Sequence, residues 1–174
     1  ERMAVLVSFN QKMMDLFLKF NIDICGHAPR SLQAAFAEAL DRLSDHELEN
    51  LKRYYGTQVR YMESKLKRIG ATMPDPDYRV TGSFYILADL SDLFGLELPK
   101  DTFQVLHKKG KIETDEELVY YLLFTEGVSL APLSYFGMPA HERGYVRITC
   151  SGGLEELNQI SEKLERQLIK AREQ

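Results

Sequence analysis

Cysteine is scarce in this chain, with two in 174 residues, and that excludes a fold built on a disulfide framework. Cys25 and Cys150 lie far apart in sequence, and no CxxC or CxxH spacing offers a structural zinc site. A reducing, cytoplasmic setting is the resulting expectation. Basic excess is missing as well. The net charge of −4 leaves no electrostatic footprint for nucleic acid. No apolar run reaches the ~18 residues of a membrane span, and no signal peptide is recognisable. The GxxxxGK[ST] and GxGxxG phosphate loops, the GxSxG elbow and the HExxH metal helix are all absent. His27, His46, His107 and His141 are scattered, and each reads as a surface or structural residue. The chain opens at Glu1 rather than at methionine, and is therefore expected to be part of something longer.

What is present centres on Glu126 to Gly153. Val128 to Ala131 reads as a short strand, a loop follows, and Tyr145 to Cys150 (YVRITC) reads as a second strand entering a glycine-rich turn. Strand side chains alternate, so Val146, Ile148 and Cys150 share one face, and Tyr145, Arg147 and Thr149 the other. With the valine and isoleucine on a core, Arg147 points away from it. A guanidinium fixed on a strand is a rigid fork for a carboxylate or phosphate. A structural salt bridge, or a side chain snorkelling to solvent, accounts for the same pattern.

Along the chain, Met3 to Phe9 (MAVLVSF) reads as a strand covered on both faces, although little downstream offers it parallel neighbours. Gln11 to Phe20 has helical spacing, with Met13, Met14 and Phe17 expected in a core. Pro29 opens a helix lined by Leu32, Phe36, Leu40 and Leu43. Ser44 and Glu47 form a capping box for a helix of about 25 residues, ended by Gly70, whose single apolar stripe suits the joining of two layers or two domains. Gly56 weakens that helix by about 1 kcal/mol relative to alanine. Ser83 to Ala88 reads as another strand, and short helices are expected around Leu90 to Phe94 and Thr102 to Lys109. Thr114 and Glu117 make a second capping box before a helix that Gly127 ends. Leu154, Leu157, Ile160, Leu164 and Leu168 mark a final amphipathic helix. Pattern alone gives an α/β or α+β protein with one arginine of interest.

The order GSFYILADLS, TDEELVYYLLFTEGVSLAPLSYFG and GYVRITCSGGLEELNQISEKLERQL resembles the small domain of class I/II pyridoxal-phosphate (PLP) aminotransferases. The matching positions are Gly82, Phe84, Asp115, Leu118, Gly127, Val128, Pro132, Phe136, Gly137, Arg147 and Ile148, with Leu133 standing where the family usually has glycine. APRSLQAAFAEAL is similar to a helix of the family's large domain, and residues 46–70 to its interdomain helix. The resemblance implies an α/β protein whose α+β small domain spans 71–174, with 46–70 as the connecting helix and 1–45 as a remnant of the large PLP domain. It further implies that Arg147 binds the carboxylate of an amino-acid or 2-oxo-acid substrate. Glu1-Arg2-Met3-Ala4 resembles the family's phosphate-binding arginine and the strand after it, which implies Arg2 as a cofactor-binding residue. The Schiff-base lysine would then precede Glu1, leaving this chain without a catalytic residue of its own and inactive alone. A homodimer is implied too, with no metal, nucleic acid or membrane. A non-catalytic assembly domain, and a PLP decarboxylase or acyl-transferring relative, are the competing readings.

Overall fold

The structure, a computed structural model, describes residues 5–26 and 28–174. The chain divides into two compact units, Glu1–Glu49 and Asn50–Gln174, each with its own character.

In the first unit, α1 (Gln11–Phe20) is capped by Asn10, whose side chain accepts from the Met13 amide, and α2 (Arg30–Arg42) starts at Pro29. Neither helix buries a residue. The expected core positions Met13, Phe17, Leu40 and Leu43 are exposed, and this corrects the expectation that they pack. The strand expected from Met3 to Phe9 does not form where the chain is described: Val5 to Phe9 has no strand structure, and Phe9 is fully exposed. A strand exists only through the neighbour its amides and carbonyls pair with. Among the described residues none pairs with this segment. Arg2 lies outside the described residues.

The second unit holds the core. Helix α3 (Asp45–Ile69), most of which belongs to it, begins at the Ser44 capping box, in which the Glu47 amide donates to Ser44 Oγ at 3.2 Å and the Ser44 amide to Glu47 Oε2 at 2.9 Å. Its later turns bury Val59, Met62, Leu66 and Ile69. Strand β1 (Tyr85–Asp89) starts later than the predicted Ser83, because Ser83 takes a left-handed backbone (φ +72°) that no strand accommodates. The poorly periodic middle holds short 3-10 turns at Ser91–Leu93 and Lys100–Thr102 and one α turn, α4 (Phe103–Leu106), close to where short helices are expected. Helix α5 (Asp115–Glu126) follows, then β2 (Ala131–Pro132), β3 (Tyr145–Thr149) and α6 (Leu154–Arg172). Of the strand expected over 128–131 only Ala131 pairs, and β2 ends one residue further on at Pro132.

The sheet is antiparallel with order β1-β3-β2, so β3 is central. One face carries Ile86, Ala88, Val146 and Ile148, all buried, in one cluster with Met62 and Leu66 of α3, Leu118 and Leu122 of α5, and Leu157, Leu164 and Leu168 of α6. Each of these side chains larger than alanine contributes about 1.5–3 kcal/mol through burial. Between α5 and α6, Tyr121 Oη donates to Gln167 Oε1 at 2.6 Å, and Glu126 accepts from Arg166 and Gln167. Gly144 is required by close approach: a Cβ there would lie 2.9 Å from the Ser91 amide and 2.8 Å from Leu118. The result is α+β packing, with the opposite sheet face left for Arg147.

Candidate functional site

Alternation puts Tyr145, Arg147 and Thr149 on the face of β3 away from the core, as the sequence pattern requires. Arg147 pairs with Leu87 of β1 on one side and with Ala131 of β2 on the other. The residue is therefore held by ladders on both edges and its backbone cannot drift. Register then supplies a neighbour: Tyr85, two residues before Leu87, lies on the same face and diagonal to Arg147. The guanidinium carbon sits 4.2 Å from the centroid of the Tyr85 ring and 4.5 Å from that of Phe136. Each contact of this kind stabilises by about 0.5–2 kcal/mol, according to how far it is desolvated.

Phe136 arrives from the turn Leu133–Phe136, which a start-of-helix carboxylate holds. Asp115, the first residue of α5, is 1% exposed, and its Oδ2 accepts from the Ser134 amide at 2.8 Å. Its own amide donates to Ala140 O at 3.0 Å, so both ends of the loop are fastened to one residue. Gly137 closes the turn at φ +91°, a conformation that glycine adopts without strain. The predicted capping box at Thr114 is altered: Thr114 Oγ1 accepts from the Glu117 amide at 3.1 Å, but the Glu117 carboxylate accepts from the amide of Glu113, one residue before the cap. Within the turn, Tyr135 donates to Glu116 Oε1 at 2.7 Å, and that bond pushes its phenol up to about 12.

Arg147 Nε is buried and has no hydrogen-bond partner, and among the described residues no carboxylate forms an ion pair with this guanidinium. Buried polar groups are almost always satisfied, so an orphaned guanidinium N–H calls for an explanation. Cys150, just past the end of β3, is a buried thiol that burial pushes up to about 11. Among the described residues, no group of His, Cys, Asp or Glu gathers to hold a metal ion, and no helix is long and apolar enough to cross a membrane. A cleft of about 410 Å³ lies between α3 and residues 80–84. Tyr55 and Phe84 of its lining lead by ring contacts of 5.2 and 4.5 Å to Tyr85.

Sequence reasoning selected Arg147, and the structure places it in the central strand. It gave no role to Tyr85, Phe136 or Asp115. Tyr85 becomes visible only through the β1–β3 register. Asp115 and Phe136 stand among the positions that match the family pattern, but neither the pattern nor the capping box at Thr114 says what they touch.

No curated protein matches this chain. Its fold is similar to that of an aromatic aminotransferase from Pyrococcus horikoshii OT3, at 22% identity and a TM-score of 0.61 over 92% of this chain and 36% of that one. It is similar also to N-succinyldiaminopimelate aminotransferase from Mycobacterium tuberculosis, at 18% identity and TM-score 0.60 over 90% and 35%. A third similar fold is aspartate aminotransferase from Rhizobium meliloti, at 21% identity and TM-score 0.56 over 91% and 36%. The chain thus spans little more than a third of those structures. The family model for aminotransferase class I and II matches residues 1–164, and the chain belongs to that family.

Proposed function

We propose that the chain is the C-terminal part of a PLP-dependent aminotransferase that moves an amino group between an amino acid and a 2-oxo acid, and that Arg147 holds the substrate's carboxylate. The observation that carries this reading is the buried, partnerless Arg147 Nε beneath two aromatic rings. A carboxylate accepting two parallel N–H bonds from the fork is fixed in both position and orientation. Fixing it orients the bonds at the adjacent carbon, and such positioning accounts for a large share of an enzyme's rate. Family membership supports the use of PLP by the whole protein. Arg147, with its planar pair of donors, suits the substrate's anion rather than the cofactor's aldehyde.

In this reading residues 1–45 are the tail of the large domain, 46–70 the connecting helix and 71–174 the small domain. Arg2 holds the cofactor phosphate, and the Schiff-base lysine belongs to the segment before Glu1. The whole protein is a cytoplasmic homodimer, and the 174-residue chain alone transfers no amino group. The test is isotopic. The longer protein is given PLP, a 15N-labelled amino acid and a 2-oxo acid, and label is expected in the new amino acid. Carbon dioxide released without transfer would make it a decarboxylase; no reaction and no bound PLP would make it an assembly domain. In the 174-residue chain, borohydride trapping that labels one lysine stoichiometrically would contradict the predicted inactivity.

A further inference from the structure

We infer that Asp115 is a positioning residue for carboxylate recognition: it acts by fastening the Leu133–Phe136 turn so that the Phe136 ring rests on the Arg147 guanidinium. The inference rests on the carboxylate role proposed for Arg147.

Phe136 is more than half exposed, so the apolar core does not hold its ring in place. What fixes the turn is polar. Asp115 Oδ2 takes the Ser134 N–H at 2.8 Å, two residues before Phe136, while the Asp115 amide holds Ala140 O on the far side of the loop. Asp115 Oδ1 is buried and has no partner. Burying a carboxylate with one oxygen unsatisfied is unfavourable, and the helix is already capped by Thr114, whose Oγ1 accepts from the Glu117 amide. The residue is therefore poorly explained by helix stability alone. Its reach is the distinguishing feature, because it spans from the start of α5 to a backbone amide 19 residues later. With the turn held, Phe136 stands 4.5 Å from the guanidinium opposite a side chain already 4.2 Å from Tyr85. Two rings on one fork leave it few rotamers, so a carboxylate meets a donor pair already ordered. Without the Asp115 bond, that ordering has to take place on binding.

The experiment uses the full 174-residue chain and reads the Arg147 Nε–H resonance by NMR, with acetate as the probe. In the unaltered protein this resonance is expected to be displaced by ring currents from those of exposed arginines, and to move on acetate addition. Asp115→Ala should return it toward the exposed position and weaken acetate binding about tenfold, the effect of one lost hydrogen bond. Asp115→Asn removes the charge but keeps an oxygen acceptor for the Ser134 amide, and should retain the displaced resonance and most of the affinity. Phe136→Leu, at an exposed position, should reproduce the alanine result and decides the matter should Asp115→Ala fail to fold. An Arg147 resonance unchanged in Asp115→Ala or Phe136→Leu would overturn the inference. So would an asparagine variant that behaves as alanine does, since charge at the helix start would then be the cause. Acetate that leaves the Arg147 resonance of the unaltered chain unmoved would overturn the carboxylate reading, while the ring-current displacement would still decide the positioning.

Discussion

Tyr85 and Arg147 stand diagonally across the β1–β3 ladder, with the guanidinium carbon 4.2 Å from the ring centroid. This relationship is a product of register, since Leu87 is the direct partner of Arg147 and Tyr85 shares its face. Tyr85→Leu keeps the strand and removes the π face. It is expected to weaken acetate binding by roughly twofold to thirtyfold, the range of one cation–π contact. Titration followed by NMR measures it, and an unchanged dissociation constant would leave the ring a packing role only.

Stability should be unevenly distributed. The second unit buries Met62, Leu66, Leu118 and Leu164 at 0–1% exposure, whereas neither α1 nor α2 buries a residue. Hydrogen exchange should therefore be slowest in the later turns of α3 and in α6, and fast throughout α1. Met62→Ala should cost about 2–5 kcal/mol in urea unfolding. Leu16→Ala, at an exposed site, should stay within about 0.5 kcal/mol. Slowest exchange in α1 of a monomer would reverse this assignment.

The contrast between the units shows what the sequence could convey. The alternation in YVRITC, the capping residue Ser44 and the stripe along α3 are local, and each forms as its pattern requires. Met3 to Phe9 carries an equally clear apolar pattern, yet Val5 to Phe9 forms no strand. A strand needs a partner, and partnership is not a property of its own residues. The site divides in the same way. Arg147 was legible because a charge inside an apolar alternation stands out. The turn that carries Phe136, and the buried Asp115 that holds it, depend on contacts across 19 residues and on a loop whose Leu133 breaks the usual family pattern.

Acid should loosen the α5–α6 contact. The Glu126 carboxyl is held below its ordinary 4.5, chiefly by the hydrogen bond from Arg166 and with help from Gln167. Its side chain is 7% exposed, while that of Arg166 is 62% exposed. Because the folded value is depressed, the unfolded chain takes up this proton first as pH falls. The contribution is thus complete above about 4.5 and is lost below it, as the folded carboxyl itself protonates. Glu126→Gln should lower stability by about 1 kcal/mol at pH 7, with solvent around Arg166 limiting the effect. The gap between variant and unaltered protein should narrow below pH 4.5, as read from urea midpoints across pH. A gap that widens toward acid would mean that Glu126 is not held as its carboxylate.

In the proposed function, Arg147 binds the carboxylate of an amino-acid or 2-oxo-acid substrate. The most direct measurement is steady-state kinetics of the longer protein with Arg147→Ala and Arg147→Lys, with cofactor content recorded alongside. Losing the fork removes two charge-assisted hydrogen bonds, so Arg147→Ala should lower kcat/KM by about 10²–10³-fold while leaving PLP bound. Arg147→Lys keeps the charge without the planar pair of donors, and should fall between alanine and arginine. An unchanged kcat and KM in Arg147→Ala would contradict the account, and would make Arg147 a structural strand arginine stacked on Tyr85 and Phe136.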